Sequence, residues 1–208
     1  DVLTVNGLSV RYGDWLAVWD VELTVERGEV VGLIGPNGAG KTTTLDAISG
    51  FVDHGGRVVF DGVDLSSRSP HERARAGMAR TWQSGELFDD LDVTGNCEVA
   101  ARRGGVRQAL VDALAPRRRS GPASATVEAL DALGLSDVAH ARPGTLSLGQ
   151  RKLVGVARAL AARPSLLLLD EPAAGLDSIE SAELGGCFRR VVDDRGMGAL
   201  LIDHDTSL

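Results

Sequence analysis

Long apolar runs are missing from this sequence, and aromatic side chains are few. A transmembrane helix needs about 18–20 uninterrupted apolar residues, and the longest candidate, residues 153–169, is interrupted by Arg158, Arg163 and Pro164. The chain has only three Trp, one Tyr and four Phe in 208 residues. These absences disfavour a membrane-spanning protein and a protein that stacks nucleic-acid bases on aromatic side chains.

Positive charge and cysteine are also in short supply. The 22 Lys and Arg against 29 Asp and Glu give a formal net charge of −7. A nucleic-acid-binding protein usually presents a basic face, so no nucleic-acid partner is expected. Cys97 and Cys187 have neither metal-ligand nor redox spacing. They are expected to be two reduced thiols of a cytosolic protein.

The distribution of apolar residues predicts strands that alternate with helices. Val2–Val5 and Val21–Val25 alternate apolar with polar residues, as half-buried strands do. Glu29–Ile34 is apolar after its first residue and is expected to be a buried parallel strand. Helical spacing follows in Arg151–Ala162. Two more apolar strands are expected at Leu166–Leu169 and Ala199–Ile202. This alternation is typical of an α/β fold with a parallel sheet.

A phosphate-binding loop is expected between the strand that ends at Ile34 and the helix that follows. The matching residues of the G-x-x-x-x-G-K-[ST] pattern are Gly35, Pro36, Asn37, Gly38, Ala39, Gly40, Lys41 and Thr42. The glycines let backbone amides turn towards phosphate oxygens, and the helix adds its positive end. Lys41 would reach the β- and γ-phosphates, while the Thr42 hydroxyl would hold Mg²⁺. Kinases, GTPases and motor ATPases all share this loop.

A second acidic site is expected where the apolar strand 165–169 ends. Asp170 and Glu171 follow this strand directly. Asp170 would orient Mg²⁺ or its waters, and Glu171 would polarise the attacking water as general base. Such a pair could also cap the next helix, but beside a phosphate loop the metal interpretation is favoured. No Asn-Lys-x-Asp sequence is present, which disfavours guanine-specific GTPases.

Several further motifs resemble those of the nucleotide-binding domain of ABC transporters, and they occur in the same order as in that family. The resemblance covers nearly the whole chain. Gln83 is similar to the Q-loop glutamine, residues 146–150 to the signature motif, and residues 174–177 to the D-loop. His204 is similar to the switch histidine. Tyr12 occupies the position of an aromatic residue that stacks on adenine, although Trp15 or Trp19 could do so instead.

The resemblance implies a role for each matching residue. Gln83, Glu171 and His204 would be catalytic, and Thr42, Gln83 and Asp170 would hold Mg²⁺. Thr43 would join the phosphate loop in binding ATP. Asp177 would lie at the seam between two copies that close over two ATP molecules. The signature residues that would bind the ATP of the partner copy are Ser147, Leu148, Gly149 and Gln150.

The sequence departs from the family pattern in two places. Leu148 stands where the commonest form of the signature has glycine, which puts the third signature contact in doubt. The sequence also stops four residues after His204, where the family continues with a strand and a helical segment, so the C-terminal part of the family domain is expected to be absent.

The fold that the resemblance implies is a P-loop NTPase core, a RecA-like parallel sheet. It carries a small antiparallel β subdomain and an inserted α-helical subdomain. The expected boundaries are a single domain, 1–208. In it, 1–87 and 146–208 form the nucleotide-binding core with the β subdomain, and 88–145 form the helical subdomain.

Local sequence features resemble the ATP-binding subunits of branched-chain amino-acid importers. These features are residues 171–176, residues 80–83 and the later segment 91–96. The sequence differs from that subfamily at Trp82 in the second of these segments and at Gly95 in the third. The implied protein hydrolyses ATP at the cytoplasmic face of the membrane, as a peripheral subunit. Its partners would be a second ATPase domain, identical or different, integral permease subunits and an external solute-binding protein. Import of urea or short amides, export of lipopolysaccharide, or a soluble ABC ATPase outside transport remain alternatives.

Overall fold

The computed structural model describes residues 1–82, 87–101 and 124–203 of the chain. These residues fall into two units, one from Asp1–Gly85 and Pro164–Leu208, the other from Glu86–Arg163. The second unit includes residues 146–163, which the sequence-based boundaries assigned to the nucleotide-binding core. Each unit is described separately below.

The first unit begins with the antiparallel sheet that the alternating apolar residues predict. Its strands are β1 Leu3–Tyr12, β2 Trp15–Val25, β4 Gly55–Phe60 and β5 Val63–Asp64. They pair in the order β2-β1-β4-β5. A two-residue turn at Gly13 and Asp14 joins the first two strands, and Tyr12 pairs with Trp15 across it. The pairing of β1 with β2 shifts register at three places, the last of them just before Arg11.

A parallel sheet forms the other half of the first unit, as the fold prediction requires. Its strands are β3 Val30–Ile34, β6 Met78–Arg80, β7 Leu166–Asp170 and β8 Gly198–Asp203. The strand order is β3-β8-β7-β6, and all neighbours are parallel. The carboxyl ends of the strands therefore lie at one edge, where ligands of open α/β sheets bind. The helices of this unit are α1 Lys41–Ser49, α2 Pro70–Ala76 and α6 Ser178–Arg195.

Helix α1 packs in a core that draws side chains from both sheets. Leu45 and Ile48 are fully buried with Phe60 of the antiparallel sheet and with Leu168 and Ile202 of the parallel sheet. Burial of each such side chain contributes about 1.5–3 kcal/mol. This core fixes the start of α1, and with it the phosphate loop, against the carboxyl ends of β7 and β8.

The expectation that Glu29–Ile34 is a parallel strand is confirmed for Val30–Ile34, but the expectation that it is buried is wrong. Among the described residues β3 pairs with β8 alone and stands at an edge of the sheet. Ile34 is 54% exposed, and Val30 and Val31 are only half-buried. An apolar run identifies a strand but does not reveal whether both of its sides are paired.

Three helices pack together in the described part of the second unit. They are α3 Val93–Ala101, α4 Ser124–Ala132 and α5 Leu148–Ala161. Val93, Leu130 and Val154 are among their buried side chains. Cys97 is buried and free, and burial raises the pKa of its thiol to about 12. No helix within the described ranges is long and apolar enough to span a membrane.

Candidate functional site

The phosphate loop lies where the sequence predicts it, between the end of β3 and the start of α1. Lys41 is the first residue of α1 and is only 8% exposed. Its Nζ donates to the carbonyl oxygen of Gly35 at 2.5 Å and to that of Pro36 at 3.0 Å. The ammonium group is therefore held over the start of the loop, close to the backbone that would surround a phosphate group.

Gly40 gives the loop the backbone shape that it needs before α1. Its φ is +85°, in the left-handed region, and it caps α1 without a side-chain hydrogen bond. The first amides of a helix have no acceptor within the helix, so those of α1 can point at an anion. A Cβ on Gly40 would lie 2.7 Å from the Ala17 carbonyl oxygen. The loop is thus a close-fitted backbone cradle of the kind that phosphate binding requires.

Gly40→Ala is expected to lower nucleotide affinity at least about tenfold, since the new methyl group must push the loop away from Ala17. Titration with a fluorescent ATP analogue measures this loss. Gly28→Ala is the matched control, because Gly28 also has positive φ, +75°, but a Cβ there meets nothing within 4 Å. Both variants carry backbone strain of about 1–2 kcal/mol. Equal nucleotide affinities of the two variants would contradict the cradle.

Thr42 and Asp170, the predicted metal pair, are brought together across the edge of the parallel sheet. The Thr42 hydroxyl donates to Oδ1 of Asp170 at 3.5 Å, although the two residues are 128 positions apart. Asp170 ends β7 and is 3% exposed. A hydroxyl and one carboxylate oxygen fit Mg²⁺, which takes few protein ligands and completes its octahedron with phosphate oxygens and water. Among the described residues no cluster of three His, Cys, Asp or Glu forms a protein-only metal cage.

Glu171 follows Asp170 in an unusual backbone conformation. Its φ is +45°, one of four positive values among described residues other than glycine. Its backbone N–H donates to the Ile202 carbonyl oxygen at 3.0 Å, which continues the contact between β7 and β8. Left-handed backbone at such a residue costs about 1–3 kcal/mol and is concentrated at functional sites. The conformation turns the chain sharply just where a general base is expected.

Arg80 is a site residue to which the sequence motif gave no role. Its side chain is 6% exposed, and it forms ion pairs with Asp170 at 3.0 Å and with Asp46 at 2.6 Å. Its guanidinium carbon also lies 4.3 Å from the centre of the Trp82 ring. Its only sequence signal was its place in residues 80–83, one of the segments that resemble the importer subunits, because its partners are 90 and 34 positions away.

The signature and D-loop residues begin helices in the structure. Ser147 caps α5: its Oγ accepts from the Gln150 amide at 3.1 Å, and the Gln150 side chain accepts from the Ser147 amide at 3.0 Å. Asp177 caps α6 by accepting from the amides of Ile179 and Glu180, both at 2.8 Å. A capping hydroxyl keeps its own hydrogen to donate, so the Ser147 cap is compatible with an additional phosphate contact. Leu148 is 50% exposed.

The aromatic candidates for adenine lie on the first hairpin. Tyr12 and Trp15 stack with ring centres 6.0 Å apart and an interplanar angle of 23°. Tyr12 is 47% exposed and Trp15 is 63% exposed, so both rings can be reached by a ligand. The rings of Tyr12 and Trp15 are therefore both available to an adenine base, and Trp19 is exposed further along β2.

Two predicted catalytic residues, Gln83 and His204, lie outside the described residues. Their roles in catalysis and, for Gln83, in metal binding remain expectations. Among the other predicted residues, Thr43 and Gly149 are described and half-buried, and Asn37, Gly38 and Ala39 are exposed along the loop.

Comparison with known proteins gives a consistent set of relatives. A family model described as ABC transporter matches residues 18–174. The chain is 37% identical to the high-affinity branched-chain amino acid transport ATP-binding protein BraF of Pseudomonas aeruginosa, over all of this chain and 83% of BraF. It is 36% identical to the lipopolysaccharide export system ATP-binding protein LptB of Haemophilus influenzae, over 98% of this chain and 80% of LptB.

The fold has solved counterparts. The crystal structure of the ADP conformation of MJ1267, an ATP-binding cassette of an ABC transporter, is similar with a TM-score of 0.84 and 28% identity. The similarity covers 98% of this chain and 81% of MJ1267.

Proposed function

Because the chain belongs to the ABC transporter family, we propose that it is the ATP-hydrolysing subunit that powers a membrane transporter. The observation that carries this proposal is the meeting of two distant motifs at one sheet edge. The phosphate loop ends in Thr42, whose hydroxyl lies 3.5 Å from Asp170. Glu171, with its positive φ, follows Asp170 directly.

Each residue at this edge of the parallel sheet would have a distinct role in ATP hydrolysis. Amides of the loop and of the first turn of α1 would bind the phosphates, and Lys41 would neutralise their charge. Thr42 and Asp170 would hold Mg²⁺. The metal, when bound, shields the phosphate charge and stabilises the transition state. Glu171 would take the proton of the attacking water, and Gln83 and His204 are proposed to complete the catalytic set.

A second ATPase domain is the proposed partner at the nucleotide. The signature residues at the start of α5 would contact the γ-phosphate bound by the other copy. Three features support this role: Ser147 and Leu148 are exposed, Ser147 has a hydroxyl hydrogen beyond its capping contact, and the start of α5 adds a positive helix end. Asp177 would lie at the same seam. Closure of two copies would complete each site, so an isolated monomer should hydrolyse ATP poorly.

Permease subunits in the membrane are the second class of proposed partner. The chain is proposed to lie against them as a peripheral subunit at the cytoplasmic face. Leu87, Phe88 and Leu91 are the candidate contacts, and Phe88 is 48% exposed. Asn96, fully buried, fixes this segment: its side chain accepts from the Phe88 amide at 2.8 Å and donates to the Phe88 carbonyl at 3.1 Å. An external solute-binding protein would deliver the cargo.

Branched-chain amino acids are the proposed cargo, and import is the proposed direction. The similarity to BraF over the whole chain supports this cargo. LptB is almost as similar, so lipopolysaccharide export is the second candidate, and import of urea or short amides is a third. Cargo would cross through the membrane subunits and would not touch the residues described here.

Uptake of labelled leucine tests the cargo. Cells that carry the intact gene are expected to take up leucine, and uptake is expected to fall to background in Lys41→Ala, because ATP could no longer drive transport. Lys152→Ala, which changes the chain's only other lysine, is expected to keep normal uptake. Unchanged leucine uptake in Lys41→Ala would refute this cargo and direct the assay to urea, amides and lipopolysaccharide.

A further inference from the structure

A buried arginine connects the two halves of the proposed metal site. Arg80 ends β6, and its Nη2 donates to Oδ2 of Asp170 at 3.0 Å. Its Nη1 donates to Oδ1 of Asp46 at 2.6 Å and to the Ser49 hydroxyl at 3.4 Å. Asp46 and Ser49 belong to α1, the helix that begins with Lys41 and Thr42. The guanidinium group therefore joins α1 to β7.

The two carboxylate oxygens of Asp170 have different partners. Oδ1 accepts from the Thr42 hydroxyl at 3.5 Å, and Oδ2 accepts from Arg80. A carboxylate that is 3% exposed is costly to bury without a hydrogen-bonded, charged partner. Arg80 supplies that partner on one oxygen and leaves the other directed at Thr42. Rotation of the carboxylate about its Cβ–Cγ bond would move both oxygens and disturb both contacts.

The guanidinium group is itself held on three sides. Asp46 and Asp170 accept from its two terminal nitrogens, and the Trp82 ring lies 4.3 Å from its central carbon. Its Nε has no hydrogen-bond partner among the described residues and is buried. This arrangement would add little to the stability of the fold if it served only as an internal ion pair, because a buried ion pair is often no more stabilising than apolar residues of similar size.

We propose that Arg80 is a positioning residue for the metal site: it holds Asp170 so that Oδ1 faces Thr42 and fixes the spacing between α1 and β7. This inference rests on the proposed function, since it takes Asp170 as a ligand of Mg²⁺ or of its waters. Arg80 acts through Asp170 and does not contact the nucleotide. Its loss should weaken metal-dependent nucleotide binding far more than nucleotide binding without metal.

The test compares affinity for a fluorescent ATP analogue in Mg²⁺ and in EDTA. For Arg80→Met, whose side chain fills a similar volume without charge, we expect about a tenfold weaker affinity in Mg²⁺ and less than about a twofold change in EDTA. Arg80→Lys should recover part of the loss, because one ammonium group cannot hold both carboxylates in the geometry of the guanidinium fork. Arg80→Lys also keeps the buried positive charge, so its smaller loss of affinity in Mg²⁺ still tests the inference if Arg80→Met does not fold.

Arg73→Met is the matched control. Arg73 is also a buried arginine, 2% exposed, and donates to the carbonyl oxygens of Ala47 and Ile48 in the same helix α1. Within the described part of the chain, its side-chain hydrogen bonds go to backbone oxygens and to the His54 ring, and not to Asp170. Its loss should lower the midpoint of thermal unfolding while the ratio of affinities in Mg²⁺ and EDTA stays at the wild-type value.

The possible outcomes separate this inference from the proposed function. A wild-type ratio in both Arg80 variants, or an altered ratio in Arg73→Met equal to theirs, would overturn the positioning role. If the wild-type protein itself shows the same affinity with and without Mg²⁺, or if Asp170→Asn leaves the ratio unchanged, the assignment of Asp170 to the metal fails instead.

Discussion

Lys41→Ala is expected to weaken ATP binding at least about a hundredfold and to abolish turnover. A charge-assisted hydrogen bond contributes about 1.5–3 kcal/mol, and a hundredfold change in affinity corresponds to about 2.7 kcal/mol. Lys41 is 8% exposed and its Nζ lies over the loop, within hydrogen-bond distance of the Gly35 and Pro36 carbonyls. No shorter side chain at this position could place a positive charge there.

Isothermal titration with ATP and a phosphate-release assay measure the two effects. The sequence offers a natural control, since Lys152 is its only other lysine and lies in α5 of the second unit. Lys152→Ala removes the same charge outside the phosphate loop and should bind ATP with an affinity within about twofold of wild type. Wild-type ATP affinity in Lys41→Ala would remove the phosphate role of the loop.

The site residues that the sequence predicts are those with strong local patterns. The phosphate loop follows an apolar strand and precedes a helix, and Asp170 follows four consecutive leucines. Both patterns depend on neighbours in the chain, so they can be interpreted without coordinates. The meeting of Thr42 with Asp170 follows from the rule that carboxyl ends of parallel strands share one edge, and the structure brings the two side chains together.

Features that depend on the pairing of strands far apart in the chain were not predicted from the sequence. Arg80 meets Asp170 because β6 pairs with β7 with Arg80 opposite Leu168, and no local pattern encodes that register. The edge position of β3 has the same origin. The start of α5 is different, because a local signal marks it. Ser147 and Gln150 form a capping box, which starts the helix at Leu148, three residues before the apolar spacing of Arg151–Ala162 begins.

Glu171→Gln is expected to lower turnover at least about a hundredfold, because glutamine cannot accept the proton of the attacking water. ATP affinity should stay within about threefold of wild type, since the two side chains have the same size and the phosphate loop is unchanged. With its contacts intact and its base removed, the variant should accumulate as an ATP-bound dimer. Phosphate release measures the first effect, and light scattering of the full-length protein with ATP and Mg²⁺ measures the last.

Glu180→Gln separates loss of the base from loss of a carboxylate as such. Glu180 completes the cap of α6, where its Oε2 accepts from the Asp177 amide at 3.2 Å. Glutamine serves equally in a capping box, so this variant should keep both turnover and the wild-type response to ATP. Turnover retained in Glu171→Gln would exclude Glu171 as the base. A Glu171→Gln protein that stays monomeric at saturating ATP and Mg²⁺ would instead count against two copies closing over the nucleotide. That closure requires only the binding contacts, and this substitution leaves them in place.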